Sequence, residues 1–377
     1  MECVYFDRHL CRSCTLLETP YAEQLRNKQA RVAETLAARV ADGVWRPARA
    51  SAETRFRSKA KLAVGGTLQA PTLGITDADG TGVDLRECGI QDEAIWDVVP
   101  DLAGFVTYAG LRPYDVTRRE GALKFVLVTA NTDGELMVRF VLRNEDDVSR
   151  LREALPALLE RLPQVRAVSA NIHPEHKAVV EGALEIPLTP EQTLRLPVGD
   201  VTLHLRHRSF LQTNTDVAGD LYRQAAAWAD AVHARNVLDL YCGVGGFALH
   251  LAGEHRRVHG VEIEPTAVES ARLAASERSA AGDVTFEIGD ASVLDVPAED
   301  SPDLVVVNPP RRGIGEHLAR TLDGSGAHTV IYSSCNPTTL AADLEHLASF
   351  DVTAARLFDM FPHTHHAEVA VLLRRRL

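Results

Sequence analysis

A strand, a glycine-rich turn and a helix follow one another in VLDLYCGVGGFALHLA at 237–252. Gly243, Gly245 and Gly246 allow the backbone to bend sharply there and to approach a ligand closely, with the amino end of the helix facing that ligand. Helices and apolar strands alternate from residue 220 onward, with strands predicted at 237–240, 258–263, 284–288, 304–307, 329–333 and 369–373. This alternation predicts an α/β fold with a doubly wound, mainly parallel sheet, whose ligands bind beyond the carboxyl ends of the strands.

The residues before this region have a different pattern. Helices are predicted at 21–41 and 151–162, and short strands at 59–64, 124–129, 136–142, 166–172 and 201–205. With 377 residues, 45% of them apolar, the chain is long enough for two domains. We therefore predict an α+β domain at 1–196, which binds RNA and carries an iron–sulfur site, and a catalytic domain at 197–377.

Composition limits the partners of the protein. The formal net charge of −12 argues against indiscriminate binding to polyanions, so that any contact with nucleic acid must depend on local patches. The chain shows neither a signal peptide nor an apolar run near the roughly 20 residues that a membrane helix needs. We expect a cytoplasmic protein with no membrane association and no obligate protein partner. In that reducing compartment the six cysteines are better explained as ligands or catalytic thiols than as disulfides.

One local basic patch is visible in the first domain. Arg55, Arg57, Lys59 and Lys61 recur at every second position, which in a strand places all four cations on one face. Such a face is either a solvated strand surface or a contact for the phosphates of RNA, and we take these four residues as RNA-binding candidates.

Acidic residues follow the two strands after the glycine-rich turn. Glu262 ends the strand HGVEIE, where a carboxylate can accept hydrogen bonds from both ribose hydroxyls of a nucleoside. Asp290 ends the next strand, FEIGD, where the adenine end of the same ligand would lie. The turn is not GxGxxG and lacks the lysine of a Walker motif, so S-adenosylmethionine is favoured over a dinucleotide or a nucleoside triphosphate.

The segment LVVVNPPRRGIG at 304–315 brings Asn308 and two prolines to the same edge. In methyltransferases that act on amino groups of adenine or cytosine, an aromatic residue follows Asn-Pro-Pro and stacks on the base. Arg311 occupies that position here, and a cation is better suited to a phosphate or a carbonyl oxygen. We therefore include Arg311 among the RNA-binding candidates.

Cys335 leaves the following strand in IYSSCNPTT and is a candidate nucleophile. The C5 carbon of uracil is too weakly nucleophilic to attack a methyl sulfonium, whereas addition of a thiolate at C6 makes an enolate whose C5 is reactive. A base must afterwards remove the C5 proton, and Glu368 in PHTHHAEVAVLL is the candidate. The three histidines of this segment are interpreted as loop residues near the substrate.

Four further cysteines form a second group: Cys3, Cys11, Cys14 and Cys88. Four thiolates fit either a [4Fe-4S] cluster or a structural zinc ion. Zinc sites usually contain two Cys-x2-Cys pairs, and only Cys11 and Cys14 are so spaced, which favours the cluster. Cys242, within the glycine-rich turn, is assigned to packing.

The chain resembles the RNA uracil-C5 methyltransferases from end to end, and more closely those that modify 23S ribosomal RNA. The shared motifs are the Cys3, Cys11 and Cys14 opening, FRSKAK at 56–61, SFLQTN at 209–214, DLYCGVGGF at 239–247, VNPPRRGIG at 307–315, YSSCN at 332–336 and FDMFPHTHHAEV at 358–369. The resemblance implies a class I fold that binds S-adenosylmethionine through Gln212, Tyr241, Glu262 and Asn308. Gly243 and Asp290, from the turn and strand described above, complete the predicted cofactor site. The resemblance also implies a [4Fe-4S] cluster on the four cysteines, Cys335 as the nucleophile and Glu368 as the proton acceptor.

Two alternative functions stay open. A transfer-RNA uracil methyltransferase of the same family is the first, although relatives that act on transfer RNA generally have aspartate at the position of Asn308. The second is a cluster-bearing RNA-binding module that no longer catalyses, against which the presence of both Cys335 and Glu368 argues.

Overall fold

The structure is a computed structural model that describes residues 1–77, 79–176, 180–278, 283–293 and 302–376. Its helices, α1 to α9 in chain order, are Val4–Asp7, Tyr21–Leu36, Glu93–Tyr108, Val148–Arg161, Thr215–Ala231, Gly246–Leu251, Pro265–Ser276, Gly315–Gly324 and Pro337–Glu345. Its strands, β1 to β16, are Lys59–Gly66, Pro71–Thr76, Gly82–Asp84, Leu123–Ala130, Leu136–Leu142, Val165–Ile172, Leu184–Pro187, Leu194–Val198, Val201–Leu205, Asn236–Leu240, Arg257–Glu262, Val284–Ile288, Leu304–Val307, Thr329–Ser334, Phe350–Phe358 and Glu368–Arg375. No described helix combines the length and the apolar composition that crossing a membrane requires.

The chain divides into two compact units. One comprises Met1–Cys14 and Glu53–Leu196, and the other comprises Thr15–Ala52 and Pro197–Leu377. The division after Leu196 falls where the sequence pattern predicts a domain boundary. The grouping of residues 15–52 with the second unit is a feature that the sequence pattern did not indicate.

The first unit is built on a seven-stranded sheet in the order β3-β2-β1-β4-β5-β6-β7. Its pairs are antiparallel except for β5 and β6, which run parallel. The apolar side chains of α3, α4 and the central strands form one continuous core. Helix α3, which contains Pro100, was not predicted from the sequence. Asp92 caps its first turn by accepting a hydrogen bond from the Ala94 N–H at 3.0 Å.

The second unit contains a seven-stranded sheet in the order β12-β11-β10-β13-β14-β16-β15. The first five of these strands are parallel, and β16 runs antiparallel between β14 and β15. This confirms the predicted doubly wound, mainly parallel sheet. Since parallel strands end at one edge, the residues that follow β10, β11, β13 and β14 meet at that edge, where ligands bind in this architecture.

Helix α2 belongs to the core of the second unit. Val32 and Leu36, one helical turn apart, are buried in the same apolar core as Tyr332 and Val369 of the central strands. The helix ends at Leu36 rather than at the predicted residue 41. This packing explains why residues 15–52 group with the second unit.

Candidate active site

The turn after β10 adopts the left-handed backbone that its glycines permit. Gly243 and Gly245 have φ of 55° and 87°, and α6 begins directly afterwards at Gly246. Tyr241 also has a positive φ, of 61°, which is uncommon for a residue other than glycine and is found at ligand sites. The amino end of α6 therefore opens toward the carboxyl edge of the sheet.

Glu262 is tied to this turn. One carboxylate oxygen accepts a hydrogen bond from the Gly243 N–H at 3.0 Å, and the other accepts one from the Glu264 N–H at 3.0 Å. The acidic residue that the sequence predicts for the ribose thus lies beside the glycine-rich turn, as the motif requires.

Asp290 follows β12, the edge strand. Its Oδ1 accepts hydrogen bonds from the Ser292 backbone N–H at 2.9 Å and the Ser292 hydroxyl at 2.6 Å. These bonds lower the pKa of the exposed Asp290 carboxyl, so that it is ionised at neutral pH.

Asp239 is a functional residue that sequence reasoning missed. It is fully buried in β10, its Oδ2 accepts a hydrogen bond from the Ala248 N–H at 2.9 Å, and burial raises the pKa of the carboxyl to about 8. This bond joins the end of β10 to the first turn of α6 and so fixes the turn between them. An acidic residue inside the apolar strand NVLDL was the feature that could have revealed it.

Asn308 and Gln212 occupy different settings. Asn308 is half-buried and is the first residue after β13, so it lies at the same edge as Tyr241 and Cys335. Gln212 is buried in the loop before α5, which Asn214 caps through a 3.3 Å hydrogen bond from the Val217 N–H.

Cys335 and Glu368 lie at adjoining ends of two neighbouring strands. In the antiparallel pair β14–β16, Ser334 is opposite Val369. Cys335 is the first residue after β14, and Glu368 is the first residue of β16. In agreement, the Glu368 carboxylate acts on the charge of the Cys335 thiol. The structure therefore brings together the two residues that the sequence named as nucleophile and base.

The Glu368 carboxyl is almost completely buried. Burial raises its pKa to about 7, although a hydrogen bond donated by the Ser333 hydroxyl acts in the opposite direction. A carboxylate with this pKa is partly protonated at neutral pH and is well matched to taking up a proton there. Ser333, the second residue before Cys335, is a partner that sequence reasoning missed.

Arg311 lies beside the Cys335 thiol. Burial and the Glu368 carboxylate raise the pKa of Cys335, whereas the Arg311 guanidinium lowers it through a hydrogen bond and its charge. The Arg311 carbonyl accepts hydrogen bonds from Asn336 Nδ2 at 3.0 Å and from the Thr339 hydroxyl at 3.2 Å. The loop that carries the arginine is thus fastened to the loop that carries the cysteine.

A buried carboxylate closes the other end of the Arg311 loop. Asp343 accepts hydrogen bonds from the backbone N–H groups of Ile314 at 2.9 Å and Gly315 at 3.0 Å, and from the Tyr332 hydroxyl at 2.5 Å. The segment from Asn308 to Gly315 is therefore fixed at both ends, which limits how far Arg311 can move from Cys335.

Helix α2 holds the segment that precedes Glu368. Gln24 and Lys28 are one turn apart, and Arg31 follows three residues later, so all three share one helical face. Gln24 Oε1 accepts a hydrogen bond from the His363 N–H at 3.0 Å. Lys28 donates to Asp359 at 2.6 Å and to the Phe361 carbonyl at 2.7 Å, in an ion pair that is almost completely buried.

The four basic residues at 55–61 do not share one strand face, contrary to the prediction from the sequence. Strand β1 begins only at Lys59, and Arg57 forms a separate bridge with Gln91. Arg55 has a φ of 57°, outside the extended region, and its guanidinium stacks 3.5 Å from the ring centre of Trp96. Lys59 and Lys61 alone share a face of β1. Burial lowers the pKa of Lys59 to about 8, and Lys61 lies 3.9 Å from the Glu181 carboxylate.

The four remaining cysteines act on one another within the first unit. Burial, followed by the charges of Cys88, Cys11 and Cys3, raises the pKa of Cys14 to about 12, while the Arg57 guanidinium lowers it. Burial also raises the pKa of Cys88, as do Cys11 and Cys3. Among the residues that the structure describes, no three histidine, cysteine or acidic side chains form a group that could hold a metal ion. The four thiols nevertheless lie close enough for their charges to act on one another.

Comparisons with known proteins place the chain among RNA methyltransferases. Residues 298–376 match the family described as "tRNA (Uracil-5-)-methyltransferase", and residues 237–326 match "Methyltransferase domain". The 23S rRNA (uracil(747)-C(5))-methyltransferases of Halothiobacillus neapolitanus and Pectobacterium atrosepticum are 45% and 42% identical, over 100% of this chain and 100% of each relative.

A solved structure shares the fold. It is the tRNA (uracil-54, C5)-methyltransferase of Pyrococcus abyssi in complex with S-adenosyl-L-homocysteine, with a TM-score of 0.79 and 24% identity. The match covers 96% of this chain and 85% of that one. It confirms the class I methyltransferase fold that the sequence predicted.

Proposed function

Because this chain belongs to the family of the 23S ribosomal RNA (uracil-C5)-methyltransferases, we propose that it transfers the methyl group of S-adenosylmethionine to C5 of a uridine in 23S ribosomal RNA. The structural observation that supports this function most directly is that the Glu368 carboxylate and the Arg311 guanidinium both act on the Cys335 thiol, at the adjoining ends of β14 and β16. The target corresponds to the uracil at position 747 in the names of the relatives.

Cys335 is the nucleophile of the reaction. Its thiolate adds to C6 of the uracil, and the electron pair of the C5–C6 double bond moves to make an enolate at C4–O4. C5 of the enolate then attacks the methyl carbon, which leaves the sulfur of S-adenosylmethionine. Arg311 stabilises the thiolate that begins this sequence and that is released at its end, since its guanidinium lowers the pKa of Cys335.

Glu368 completes the reaction. After methyl transfer C5 carries both a hydrogen and the methyl group, and the Glu368 carboxylate removes that proton. The electron pair of the C–H bond re-forms the C5–C6 double bond and expels the Cys335 thiolate. Burial raises the pKa of Glu368 to about 7, which makes the carboxylate a stronger base for this proton than an exposed one would be.

The cofactor lies at the carboxyl edge of the sheet. Gly243 provides close approach of the backbone, Glu262 accepts the ribose hydroxyls, and Asp290 lies toward the adenine. Tyr241, Gln212 and Asn308 supply further contacts. Binding the ribose through Glu262 requires its two carboxylate oxygens to accept from the ligand as well as from Gly243 and Glu264, which the free lone pairs of a carboxylate permit.

Cys3, Cys11, Cys14 and Cys88 would hold a [4Fe-4S] cluster. Four half-buried thiols that act on one another's charge are the donor set that such a cluster takes. Burial first, and then the neighbouring thiols, raise the pKa of Cys14, and a bound cationic cluster core would offset both effects. The cluster would supply a redox-active cation group that ties residues 3–14 to the segment of Cys88. Arg57 is better explained as a neighbour of these thiols than as an RNA contact.

The remaining RNA-binding candidates are Arg55, Lys59, Lys61 and Arg311. Lys59 and Lys61 share a face of β1, and the exposed Arg311 lies beside the nucleophile. An enzyme that must reach C6 of a uracil acts on a base that is looped or flipped out of a duplex. The RNA is therefore bound through a short single-stranded segment around the target uridine. Because the net charge of the protein is negative, this binding depends on local basic residues and not on the overall charge.

Methyl-label incorporation tests the function. Purified protein with labelled S-adenosylmethionine is offered unmodified 23S ribosomal RNA and unmodified transfer RNA in parallel, and 5-methyluridine is mapped by mass spectrometry. We expect label in the 23S RNA at the position that matches uracil 747. The matched family description and the shared fold make transfer RNA the second candidate, and label confined to transfer RNA would establish it instead. Label in neither RNA would favour a non-catalytic binding module.

A further inference from the structure

Two arginines and two histidines surround the nucleophile. They line, with Cys335, a pocket of about 340 Å³. Arg31 of α2 hydrogen bonds to His365 Nδ1 at 3.0 Å and to the His365 carbonyl, and Arg311 hydrogen bonds to His366 Nδ1 at 2.9 Å. Each arginine of the pocket is thus paired with one histidine.

This pairing fixes what the pocket offers to a ligand. A guanidinium can only donate hydrogen bonds, so the Nδ1 atoms of His365 and His366 accept them. The proton of each neutral imidazole then lies on Nε2, which is a donor. Both arginines retain further N–H groups, because one guanidinium carries five. The four side chains therefore offer hydrogen-bond donors and two fixed positive charges.

The charge of the pocket is not neutralised by its own walls. In the described part of the chain no carboxylate lines it. Burial lowers the pKa of His366, and the positive charges of Arg311, Lys28 and Arg31 lower it further. Lys28 is neutralised by its buried partner Asp359. The ligand that complements several donors and two uncompensated cations is an anion with several acceptor oxygens, such as a phosphodiester.

The geometry of a nucleotide indicates which phosphodiester this is. In the anti conformation that pyrimidine nucleotides favour, C6 is the ring carbon on the side of the 5′-phosphate. A thiolate that attacks C6 is therefore close to that phosphate, and cations around the thiolate are close to it as well. We propose that Arg31, together with Arg311, binds the phosphate on the 5′ side of the target uridine, a contact that rests on the proposed function for the identity of the base.

The test compares one phosphate and one arginine. The RNA is a 23S fragment that contains the target uridine, either unmodified or with an uncharged methylphosphonate at the linkage 5′ of that uridine. Binding is measured over a range of salt concentrations for the wild-type protein and for Arg31→Gln. We expect the methylphosphonate to weaken wild-type binding about tenfold, and Arg31→Gln to weaken binding of the unmodified RNA by a similar factor with a salt slope smaller by about one.

The decisive result is the combination of the two changes. With Arg31→Gln the methylphosphonate penalty should shrink to about threefold, the part that Arg311 retains, because the two changes remove the same contact. The proposal would be overturned if the losses of affinity caused by the methylphosphonate and by Arg31→Gln multiply, as they do for independent contacts. It would also be overturned if the Arg31→Gln protein binds with the affinity and the salt slope of the wild type. A methylphosphonate on the 3′ side of the uridine should show no coupling with Arg31→Gln. Coupling on the 3′ side instead would mean that Arg31 binds the 3′ phosphate, and it would overturn the proposal.

Two controls separate this contact from other effects. Arg26→Gln removes the same charge from an exposed position of the same helix and should leave affinity unchanged. Arg31→Lys keeps the positive charge and should keep the salt slope of the wild-type protein, which separates loss of the phosphate contact from loss of folding. If the unmodified fragment is bound but not methylated, the proposed function fails, while the binding comparison still decides whether Arg31 contacts that phosphate.

Discussion

Cys335 in the second unit and Cys14 in the first both lie near an arginine, yet their surroundings differ. Cys335 faces a carboxylate on one side and an open, cationic pocket on the other. Cys14 is surrounded by three other thiols, and burial with this crowding raises its pKa to about 12. A nucleophilic thiol must be reachable by its substrate, and the Arg311 guanidinium offsets part of the rise in the pKa of Cys335 that burial causes. Four neighbouring thiols, in contrast, can all ionise only when a bound cation compensates their negative charges.

Of the changes predicted from this difference, removal of Cys335 should have the largest effect on methyl transfer. Cys335→Ala should reduce methyl transfer by at least about 10³-fold, because uracil C5 is not reactive without addition at C6. Its iron content should equal that of the wild type, since Cys335 has no part in the four-cysteine group. The measurement is label incorporation alongside iron analysis. Methyl transfer at the wild-type rate would show that the thiol is not needed for the chemistry.

Removing the base should stall the reaction after its first half. Glu368→Gln keeps the shape of the side chain but cannot take up a proton, so turnover should fall about 10²-fold or more. The methylated RNA should stay bound to Cys335 as a covalent adduct that survives denaturing electrophoresis. The double variant with Cys335→Ala should form no adduct. Full turnover by Glu368→Gln would assign proton removal to another group.

Substitutions in the four-cysteine group should affect the iron content more than the rate of methyl transfer. Protein purified without oxygen should be brown with about four irons per chain, and Cys14→Ala should lose most of that iron and its colour. Cys242→Ala, which removes a buried thiol of the second unit, should retain the iron. Methyl transfer by Cys14→Ala should exceed that of Cys335→Ala. A colourless wild-type protein that contains zinc would show that the cysteines hold a different metal.

Sequence motifs located most of the catalytic edge, because each motif joins a strand end to a residue whose chemistry is specific. The motifs predict Cys335 and Glu368 separately, and the pairing of β14 with β16 brings the ends of their strands together. Repeating patterns predicted β10 to β14 and β16 within one or two residues of their observed ends, since a buried parallel strand is a short apolar run.

The remaining parts depend on contacts between segments far apart in the sequence. Nothing local in helix 21–36 indicates that Lys28 pairs with Asp359 or that Arg31 meets His365. The alternation at 55–61 was misleading for a related reason. Arg55 leaves the extended conformation and stacks on Trp96, and Arg57 pairs with Gln91, so β1 contains only the last two of the four basic residues.

The smallest effect concerns the hydroxyl beside the base. Ser333 donates a hydrogen bond that stabilises the charged form of Glu368, so Ser333→Ala should raise the pKa of Glu368 further above its present value of about 7. Because the base acts in its deprotonated form, kcat should fall about threefold near pH 7 and recover as the pH rises toward about 9. Ser270→Ala removes an equally buried hydroxyl from α7 and should leave the pH profile unchanged. A loss in Ser333→Ala that is the same at every pH would mean that the serine supports the packing of β14 rather than the charge of Glu368.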